Sequence, residues 1–264
     1  MVTPPTPPTP RPNYGIDAPG AVRNLFIIGS IGLLISIVCF SGLLPRTDWT
    51  RFFRRNGTAI AIACLGMGSY MYFGAKYGKI REREWLLNLK PGGWRGDETV
   101  LDVGCGLGVM LIGAAKRLTT GNAGTATGID IWQTKDLSGN NPDATLENAR
   151  REGVEGRVTI KTADMRQIPF PDNHFDVIVS NAAIHNLYKA EERAAAIREI
   201  ARVLKPGGAC ILADVRHAAQ YTTILRESGV TDIQRRDTSI TSPFFAIVSL
   251  GRARPFVVVG RKPS

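Results

Sequence analysis

The sequence predicts an α/β fold in which seven strands form a doubly wound parallel sheet, preceded by two apolar helices that span a membrane. Three observations lead to this prediction. From Glu98 onward, short apolar runs alternate with amphipathic segments, as in repeated βα units. The first of these strands runs directly into a cluster of glycines. Ahead of the alternating region lie two long segments that contain no charged residue.

Composition excludes several classes of protein. The 264 residues are 44% hydrophobic and 21% charged, which is typical of a globular chain rather than a disordered or coiled-coil one. Eight basic and two acidic residues fall in residues 1–79, so six of the ten net positive charges lie there. A nucleic-acid-binding protein would concentrate charge on its folded domain, and we therefore expect no nucleic-acid partner.

The four cysteines are far apart and form no CxxC pair. This spacing argues against a disulfide framework and against a zinc site, and it favours a reducing compartment. We expect no bound metal.

Three regions are predicted along the chain. Residues 1–23 form a flexible tail, because the first twelve residues contain six prolines. Residues 24–78 form two membrane-spanning helices, at about 25–44 and 58–77. Residues 79–264 form the α/β domain.

Both spans match the length that a bilayer requires, which is about 20 residues. Leu25–Leu44 and Thr58–Ala75 are uncharged, and the second is rich in small residues that let membrane helices approach closely. The 13-residue link between Leu44 and Thr58 carries aromatic side chains suited to the membrane interface. Two alternatives stay open: a cleaved signal peptide, and two buried helices of a soluble core.

Orientation follows from basic residues at the ends of the spans. Eight flank the pair of spans, whereas four lie in the link. The excess predicts that both ends of the pair, and the α/β domain, are cytoplasmic. The eight are Arg11, Arg23, Lys76, Lys79, Arg81, Arg83, Lys90 and Arg95.

The α/β domain is predicted to contain seven strands and at least four helices. Asp143 is expected to cap the second helix, and the Lys205–Gly208 run is expected to end the third. We predict strands at 99–103, 125–130, 157–161, 175–180, 210–214, 230–238 and 255–261, and helices at 110–118, 141–152, 190–204 and 218–228.

The glycine run indicates a bound nucleoside cofactor. In VLDVGCGLGVM, a strand leads into glycines that let a ligand approach the backbone closely. The spacing is GxGxG, and Val109 stands where a dinucleotide-binding fold has its third glycine, which argues against NAD. Polar side chains follow four strands and should meet at one sheet edge: Asp102, Asp130, Asp164 and Asn181.

Four ordered segments between about residues 95 and 215 resemble the class I S-adenosylmethionine (SAM)-dependent methyltransferases, in particular the ubiquinone/menaquinone-biosynthesis-like members. They are VLDVGCGLG, TGID, ADMRQIPFPDNHFDVIVSN and REIARVLKPGGACILAD. The resemblance implies a Rossmann-like fold, SAM as cofactor and S-adenosylhomocysteine as product. It also implies roles for individual residues. The methionine part of SAM is approached by Gly104, Gly106 and Gly108 and faced by Ser180 to Ala182 with Asn181, and Asp102 orients its amino group. Asp130 holds the ribose. Ile131 and Trp132 flank the adenine, Asp164 and Met165 lie at its edge, and Cys105 and Ala163 complete the contacts.

The acceptor is predicted less sharply. His185 is the candidate general base, because it follows the fourth strand and histidine titrates near neutrality. The alternative is a histidine that only shapes the pocket. His174 is expected at the surface, and His217 is a second candidate.

Two departures from the family pattern bear on the substrate. The 132–143 loop is longer than usual and forms either a lid, part of the acceptor site or a plain surface loop. SNAAIHN replaces the NPPY-type run, which argues against DNA or protein-amide substrates.

The short connection between membrane and domain suggests a small, lipophilic acceptor: a quinone precursor, a lipid amine, or a small thiol or phenol. Residues 13–20 could reach back to the site through Tyr14 and Asp17. A non-catalytic SAM-binding protein and an NAD-linked reductase remain alternatives, and the sequence leaves the oligomeric state open.

Overall fold

The computed structural model describes residues 11–119, 124–237 and 254–264. Most of the predicted proline-rich tail, residues 1–10, and Thr238 at the end of a predicted strand lie outside these residues. The chain forms two compact units. The larger unit contains the described residues up to Tyr14, Ile80–Trp132 and those from Asn140 onward, and the smaller unit contains Gly15–Lys79 and Gln133–Gly139.

A seven-stranded sheet forms the centre of the larger unit, in the order β3-β2-β1-β4-β5-β7-β6. The first five strands are parallel, whereas β7 runs antiparallel to both β5 and β6. The prediction of an all-parallel sheet was therefore wrong: the sheet is mixed. The strands are β1 (Thr99–Val103), β2 (Thr125–Asp130), β3 (Val158–Thr162), β4 (Phe175–Asn181), β5 (Leu204–Asp214), β6 (Thr231–Asp237) and β7 (Phe256–Arg261).

Helices occupy the connections from β1 to β2, from β2 to β3, from β4 to β5 and from β5 to β6. Two short 3-10 turns, at Glu155–Arg157 and Ile184–Asn186, precede β3 and follow β4. Each predicted strand and helix of the domain occurs, with ends that differ by a few residues in most cases. The helices are α4 (Val109–Ala115), α5 (Pro142–Arg151), α6 (Ala190–Val203) and α7 (Ala218–Glu227).

One local prediction was wrong. Asn141, not Asp143, caps α5: its side chain accepts a hydrogen bond from the Ala144 N–H, because Pro142 at the first helical position fixes the residue before it in an extended conformation. The expectation that the Lys205–Gly208 run ends the preceding helix was confirmed, since α6 stops at Val203. α6 passes directly into β5, and an irregularity in the pairing with β4 accommodates the two glycines.

The core lies on the faces of the sheet. Leu101, Ile129, Ile178 and Leu212 are fully buried, and each comes from a different parallel strand. Because these strands are buried and parallel, their carboxyl ends meet at one edge of the sheet, where polar side chains of the next segments are exposed to a ligand.

The smaller unit contains a helical hairpin of α1 (Pro19–Phe40) and α2 (Asp48–Phe73). A π-helical turn, Gly74–Gly78, and α3 (Lys79–Leu87) continue α2 into the larger unit. The predicted 13-residue link was too long. The chain between the helices spans residues 41–47, since Thr47 and Thr50 form a capping box that starts α2 ten residues earlier than predicted. The link's aromatic residues Trp49, Phe52 and Phe53 consequently belong to α2.

Small residues let α1 and α2 pack closely. A Cβ added at Gly29 would lie 2.7 Å from Leu65 Cγ, and one added at Gly57 would lie 2.8 Å from Ser36 Oγ. Large apolar side chains elsewhere on the hairpin are exposed: Ile27, Ile28, Ile31, Leu34, Ile37, Ile60 and Ile62. By length and composition, α1 and the continuous helix Asp48–Leu87 could each cross a membrane.

Candidate functional site

The glycine turn after β1 is held against the end of β2. The N–H groups of Gly104 and Cys105 both donate to the Ile129 carbonyl, at 2.9 and 3.0 Å. Gly104 has a φ of 73°, and a Cβ at this position would collide with the Cβ of Ala183. The turn therefore requires glycine here for two reasons, conformation and space.

Asp102 carries an unusual carboxyl group at the end of β1. Its side chain is only 1% exposed and accepts one hydrogen bond, from the Leu111 N–H at 2.8 Å. Burial is the main cause that raises the pKa of Asp102 to about 8; the hydrogen bond from the Leu111 N–H acts against it, and the negative charge of Asp130 adds to it. A buried carboxyl in this state gains most from a nearby cationic group.

Asp130, at the end of β2, receives hydrogen bonds from three directions. Its Oδ2 accepts from the Gly106 N–H at 2.8 Å. Its Oδ1 accepts from the Trp132 N–H at 2.6 Å and from Asn140 Nδ2 at 3.3 Å. Asp130 thus ties the glycine turn to both ends of the segment between Trp132 and Asn140.

Asn140 provides the clearest sign of a ligand beside Asp130. Its side chain is buried, and its Oδ1 has no hydrogen-bond partner among the described residues. A buried acceptor without a partner costs about 1–3 kcal/mol, so a hydroxyl donor is expected there when the site is filled. Sequence reasoning missed Asn140, because only folding brings it to the carboxylate.

The next two predicted contacts lie at the end of β3. The Ala163 N–H donates to the Asp130 carbonyl at 3.1 Å, and Met165 packs against the core. The Asp164 carboxylate is taken up by Arg166, which approaches it to 2.6 Å. The hydrogen bonds from Arg166 lower the pKa of Asp164. The Asp164 carboxylate is therefore paired with Arg166, and the contact with the adenine edge that the resemblance implies stays a prediction.

The remaining predicted cofactor contacts differ in exposure. Trp132 adopts a φ of 61°, and its Nε1 donates to Thr162 Oγ1 at 2.8 Å, whereas the Ile131 side chain is 47% exposed. Cys105 is buried, and burial raises the pKa of its thiol. Gly108 begins α4 with a φ of 86°.

At the end of β4, the backbone turns sharply toward the same edge. Ser180 Oγ donates to the Val103 carbonyl at 2.8 Å, which fixes β4 to β1. Asn181 pairs with Ala213 of β5, and Ala182 adopts a φ of 54°. The partly exposed Asn181 therefore lies at the sheet edge to which the sequence assigned it.

His185 has a partner that the sequence analysis did not identify. Its Nδ1 lies 2.5 Å from Asp214 Oδ1, an ion-pair distance without the alignment of a hydrogen bond. The His185 N–H and the Tyr221 hydroxyl both donate to Asp214 Oδ2, at 3.1 and 2.7 Å. Asp214 ends β5, and its place at a strand end was the available signal.

The other two histidines differ from His185. His174 is exposed and stacks on Phe170, as expected for a surface position. His217 starts α7 in a left-handed conformation, and burial together with the charge of Arg193 lowers its pKa. No group of three or more metal-ligating side chains occurs within the described part of the chain, and its four cysteines are free thiols.

The donor set fits a SAM-type ligand. A buried carboxyl at Asp102 suits an ammonium group, and the Asp130 carboxylate with the unpaired Asn140 oxygen suits the hydroxyls of a ribose. Between Asp102 and Asp130, the glycine turn presents backbone atoms rather than side chains, because there is no space for a Cβ at Gly104.

Comparison with known proteins agrees with this geometry. Residues 101–212 match the family described as "Methyltransferase domain". The chain is 34% identical over 156 residues to 27-O-demethylrifamycin SV methyltransferase of Amycolatopsis mediterranei (strain S699), covering 59% of this chain and 50% of that protein. It is 33% identical over 127 residues to the ubiquinone/menaquinone biosynthesis C-methyltransferase UbiE of Chromobacterium violaceum, covering 48% and 47%. The chain thus spans about half the length of these curated relatives.

Two solved structures share the fold. The [4+2]-cyclase SpnF aligns with a TM-score of 0.54 at 24% identity, covering 70% of this chain and 80% of that one. Geranyl diphosphate C-methyltransferase from Streptomyces coelicolor A3(2), in complex with Mg²⁺, geranyl diphosphate and S-adenosyl-L-homocysteine, aligns with a TM-score of 0.54 at 15% identity, covering 69% and 78%. Residues 101–212 therefore resemble a methyltransferase domain, and the chain shares the fold of these two structures. The matches support S-adenosylmethionine as its cofactor.

Proposed function

We propose that this chain is a membrane-anchored, SAM-dependent methyltransferase that acts on a small, lipophilic acceptor. The observation that carries the proposal is the pair of carboxyl groups, Asp102 and Asp130, at the two sides of the glycine turn. Burial, together with the nearby negative charge of Asp130, raises the pKa of Asp102 to about 8. A cationic amino group and a pair of hydroxyls would satisfy them together.

When bound, SAM supplies an electrophilic methyl group on a positively charged sulfonium. In this proposal Asp102 binds the amino group, Asp130 and Asn140 bind the ribose, and the backbone of Gly104 and Gly106 adjoins the methionine. The remaining cofactor contacts are those that the resemblance implies. Alignment of an acceptor within attack distance can contribute about 7–11 kcal/mol to lowering the barrier.

His185 is proposed to remove a proton from the acceptor. Asp214 Oδ1 lies 2.5 Å from Nδ1 and would stabilise the imidazolium that forms, so Nε2 is the nitrogen proposed to accept the proton. Tyr221 keeps Asp214 in place, and burial raises the pKa of the Tyr221 hydroxyl, so it remains a donor. Such a pair favours an acceptor with an acidic hydroxyl. The rifamycin relative is, by its name, an O-methyltransferase, which is consistent with this choice.

The membrane anchor is proposed from the helical hairpin. Exposed isoleucines and leucines on both helices favour lipid contact over the interior of a soluble protein. Tyr14, ahead of α1, and Ile80, after α2, both belong to the larger unit. This supports only that both ends of the hairpin lie on the same side of a membrane, and the basic flanks are the reason for proposing the cytoplasmic side.

A lipophilic acceptor follows from the short connection between hairpin and domain. The π-helical turn and α3 lead from α2 into the larger unit without a flexible linker. The candidates remain a quinone precursor, a lipid amine, or a small thiol or phenol, and the His185–Asp214 pair favours the phenol class.

Incubation of membranes containing the full chain with methyl-labelled SAM tests the proposal. We expect label in the lipid extract, and none with the Asp130→Ala variant. Label in neither the lipid nor the aqueous fraction, despite SAM binding, would favour a non-catalytic SAM-binding protein. Binding of NAD in place of SAM would favour a reductase.

A further inference from the structure

The six residues ahead of α1, Asn13–Ala18, form a strap that divides between the two compact units. Asn13 and Tyr14 belong to the larger unit, and Gly15–Ala18 belong to the smaller one. Each half makes specific hydrogen bonds within its own unit. Of their partners, Asn148 in the larger unit also bonds the glycine turn, and the segment Gln133–Gly139 in the smaller unit lies in sequence between Trp132 and Asn140.

The first half of the strap shares a buried amide with the glycine turn. The side chain of Asn148, in α5, forms two hydrogen bonds with the backbone of Asn13. Its Oδ1 accepts from the Asn13 N–H, and its Nδ2 donates to the Asn13 carbonyl, each at 2.8 Å. The same Nδ2 donates to the Leu107 carbonyl at 3.0 Å. One side chain, 2% exposed, therefore holds both the strap and the glycine turn.

Tyr14 locks this half of the strap in place. Its side chain is 6% exposed, its hydroxyl donates to Glu152, and Arg83 Nη1 donates to the same hydroxyl. Burial and the nearby Glu152 raise the pKa of Tyr14, so the hydroxyl stays protonated. Burial acts to raise the pKa of Glu152, yet hydrogen bonds from Lys116, Tyr14 and Arg83 outweigh it and lower that pKa.

The second half of the strap pairs with the segment Gln133–Gly139. Asp17 and Leu137 form an antiparallel bridge. The Ser138 N–H donates to the Ile16 carbonyl at 3.0 Å, and the Ala18 N–H donates to the Asp136 carbonyl at 2.9 Å. The Ile16 N–H donates to Ser138 Oγ at 2.7 Å.

This segment begins and ends at residues that hold Asp130. Trp132 precedes it and Asn140 follows it, and both donate to Asp130 Oδ1. The strap holds this segment at Asp136, Leu137 and Ser138. A segment held in this way confines its ends, because free residues have more backbone entropy to lose when a ligand orders them. Order in the strap is therefore transmitted along the chain to the carboxylate.

We infer that the strap positions the two loops of the cofactor site, so that cofactor binding depends on the chain directly ahead of the first membrane helix. The inference rests on the proposed function, since it concerns the same site. Without the strap, the glycine turn and the 133–139 segment must become ordered when the cofactor binds, which weakens binding.

Calorimetry with S-adenosylhomocysteine on the full chain in detergent micelles tests the inference. Deletion of residues 2–18 removes the strap, and deletion of residues 2–10 is the matched control that retains it. We expect the longer deletion to raise the Kd at least tenfold and the control to leave it unchanged. Equal Kd values for the two deletions would overturn the inference.

Point variants at Ser138 keep the test valid where the longer deletion does not fold. Ser138→Ala removes the acceptor for the Ile16 N–H, whereas Ser138→Thr retains a hydroxyl. We expect a several-fold higher Kd for the alanine variant, recovery for threonine, and the same unfolding midpoint without ligand for both. A Kd that is unchanged by Ser138→Ala, or a loss that threonine does not recover, would contradict the positioning role.

A peptide with the sequence of residues 11–18, added to the strapless chain, should restore affinity. Absence of restoration in a folded strapless chain would contradict the inference. The failure of the proposed function looks different, because the unaltered chain would then fail to bind S-adenosylhomocysteine at all.

Discussion

Replacing Asp102 by asparagine should stabilise the ligand-free protein while weakening cofactor binding. The carboxyl is 1% exposed, and burial raises its pKa from 3.8 to about 8. The folded protein therefore holds this proton more tightly than the unfolded chain does. Stability of the wild type should consequently fall as the pH rises from 3.8 to about 8 at this residue, because the unfolded chain loses the proton first.

The magnitude follows from the difference in pKa. In the unfolded chain the Asp102 carboxyl has a pKa of 3.8, and pH 7 lies about 3 units above it. At about 1.36 kcal/mol per unit, keeping the proton in the folded protein lowers the free energy of unfolding by about 4 kcal/mol. Asparagine avoids this cost and still accepts from the Leu111 N–H. Its amide N–H groups lack an acceptor, which costs about 1–3 kcal/mol. A net gain of about 1–3 kcal/mol at pH 7 remains.

Urea unfolding followed by tryptophan fluorescence at pH 5 and pH 7 measures this effect. The gain for Asp102→Asn should be larger at pH 7 than at pH 5, and the Kd for S-adenosylhomocysteine should rise at least tenfold. Asp143→Asn, which removes a charge from an exposed position, is the control and should shift neither quantity comparably. A variant that is less stable than the wild type at pH 7, or a gain independent of pH, would refute the reasoning.

Three further predictions follow from other parts of the molecule. Gly104→Ala should lower the free energy of unfolding by about 1–3 kcal/mol because of the positive φ at this residue. It should also abolish cofactor binding measured by calorimetry, and retained binding would contradict a close approach of the cofactor to the backbone of this turn. Gly29→Ala should loosen the helical hairpin and increase its cleavage by protease in detergent, whereas Gly66→Ala, where a Cβ meets nothing within 4 Å, should not. His185→Ala should lower the rate of methyl transfer to a hydroxyl acceptor about 10²–10⁴-fold and leave the Kd for S-adenosylhomocysteine unchanged. Asp214→Asn should lower this rate by a smaller factor. Activity of the His185→Ala variant within twofold of wild type would show that His185 only shapes the pocket.

Much of the domain could be predicted from local sequence because its signals are local. Apolar runs followed by glycine or a polar residue mark the ends of β1 and β2, and the structure places Asp102 and Asp130 there. The direction of β7 could not be predicted, since it depends on where the last strand inserts, between β5 and β6. No local pattern distinguishes an antiparallel insertion from a parallel one when both faces of the strand are apolar.

Helix ends and long-range partners could not be predicted from the sequence either, because both depend on contacts that form only in the folded chain. The capping box at Thr47 competes with hydropathy for the start of α2, and the cap determines it. Asn140, Asp214 and Tyr221 acquire their importance only from folding, because each meets its partner across the sheet edge or from a neighbouring helix. Of these three residues, only Asp214 would have been found by a search for polar residues at the end of every strand.

Calorimetric titration of the full chain with S-adenosylhomocysteine decides whether the carboxyl groups beside the glycine turn bind a SAM-type cofactor. We expect saturable binding at one site per chain, a Kd raised at least tenfold by Asp130→Ala, and no binding of NAD under the same conditions. Heat of binding with NAD but none with S-adenosylhomocysteine, or an Asp130→Ala variant that binds as tightly as the wild type, would contradict it.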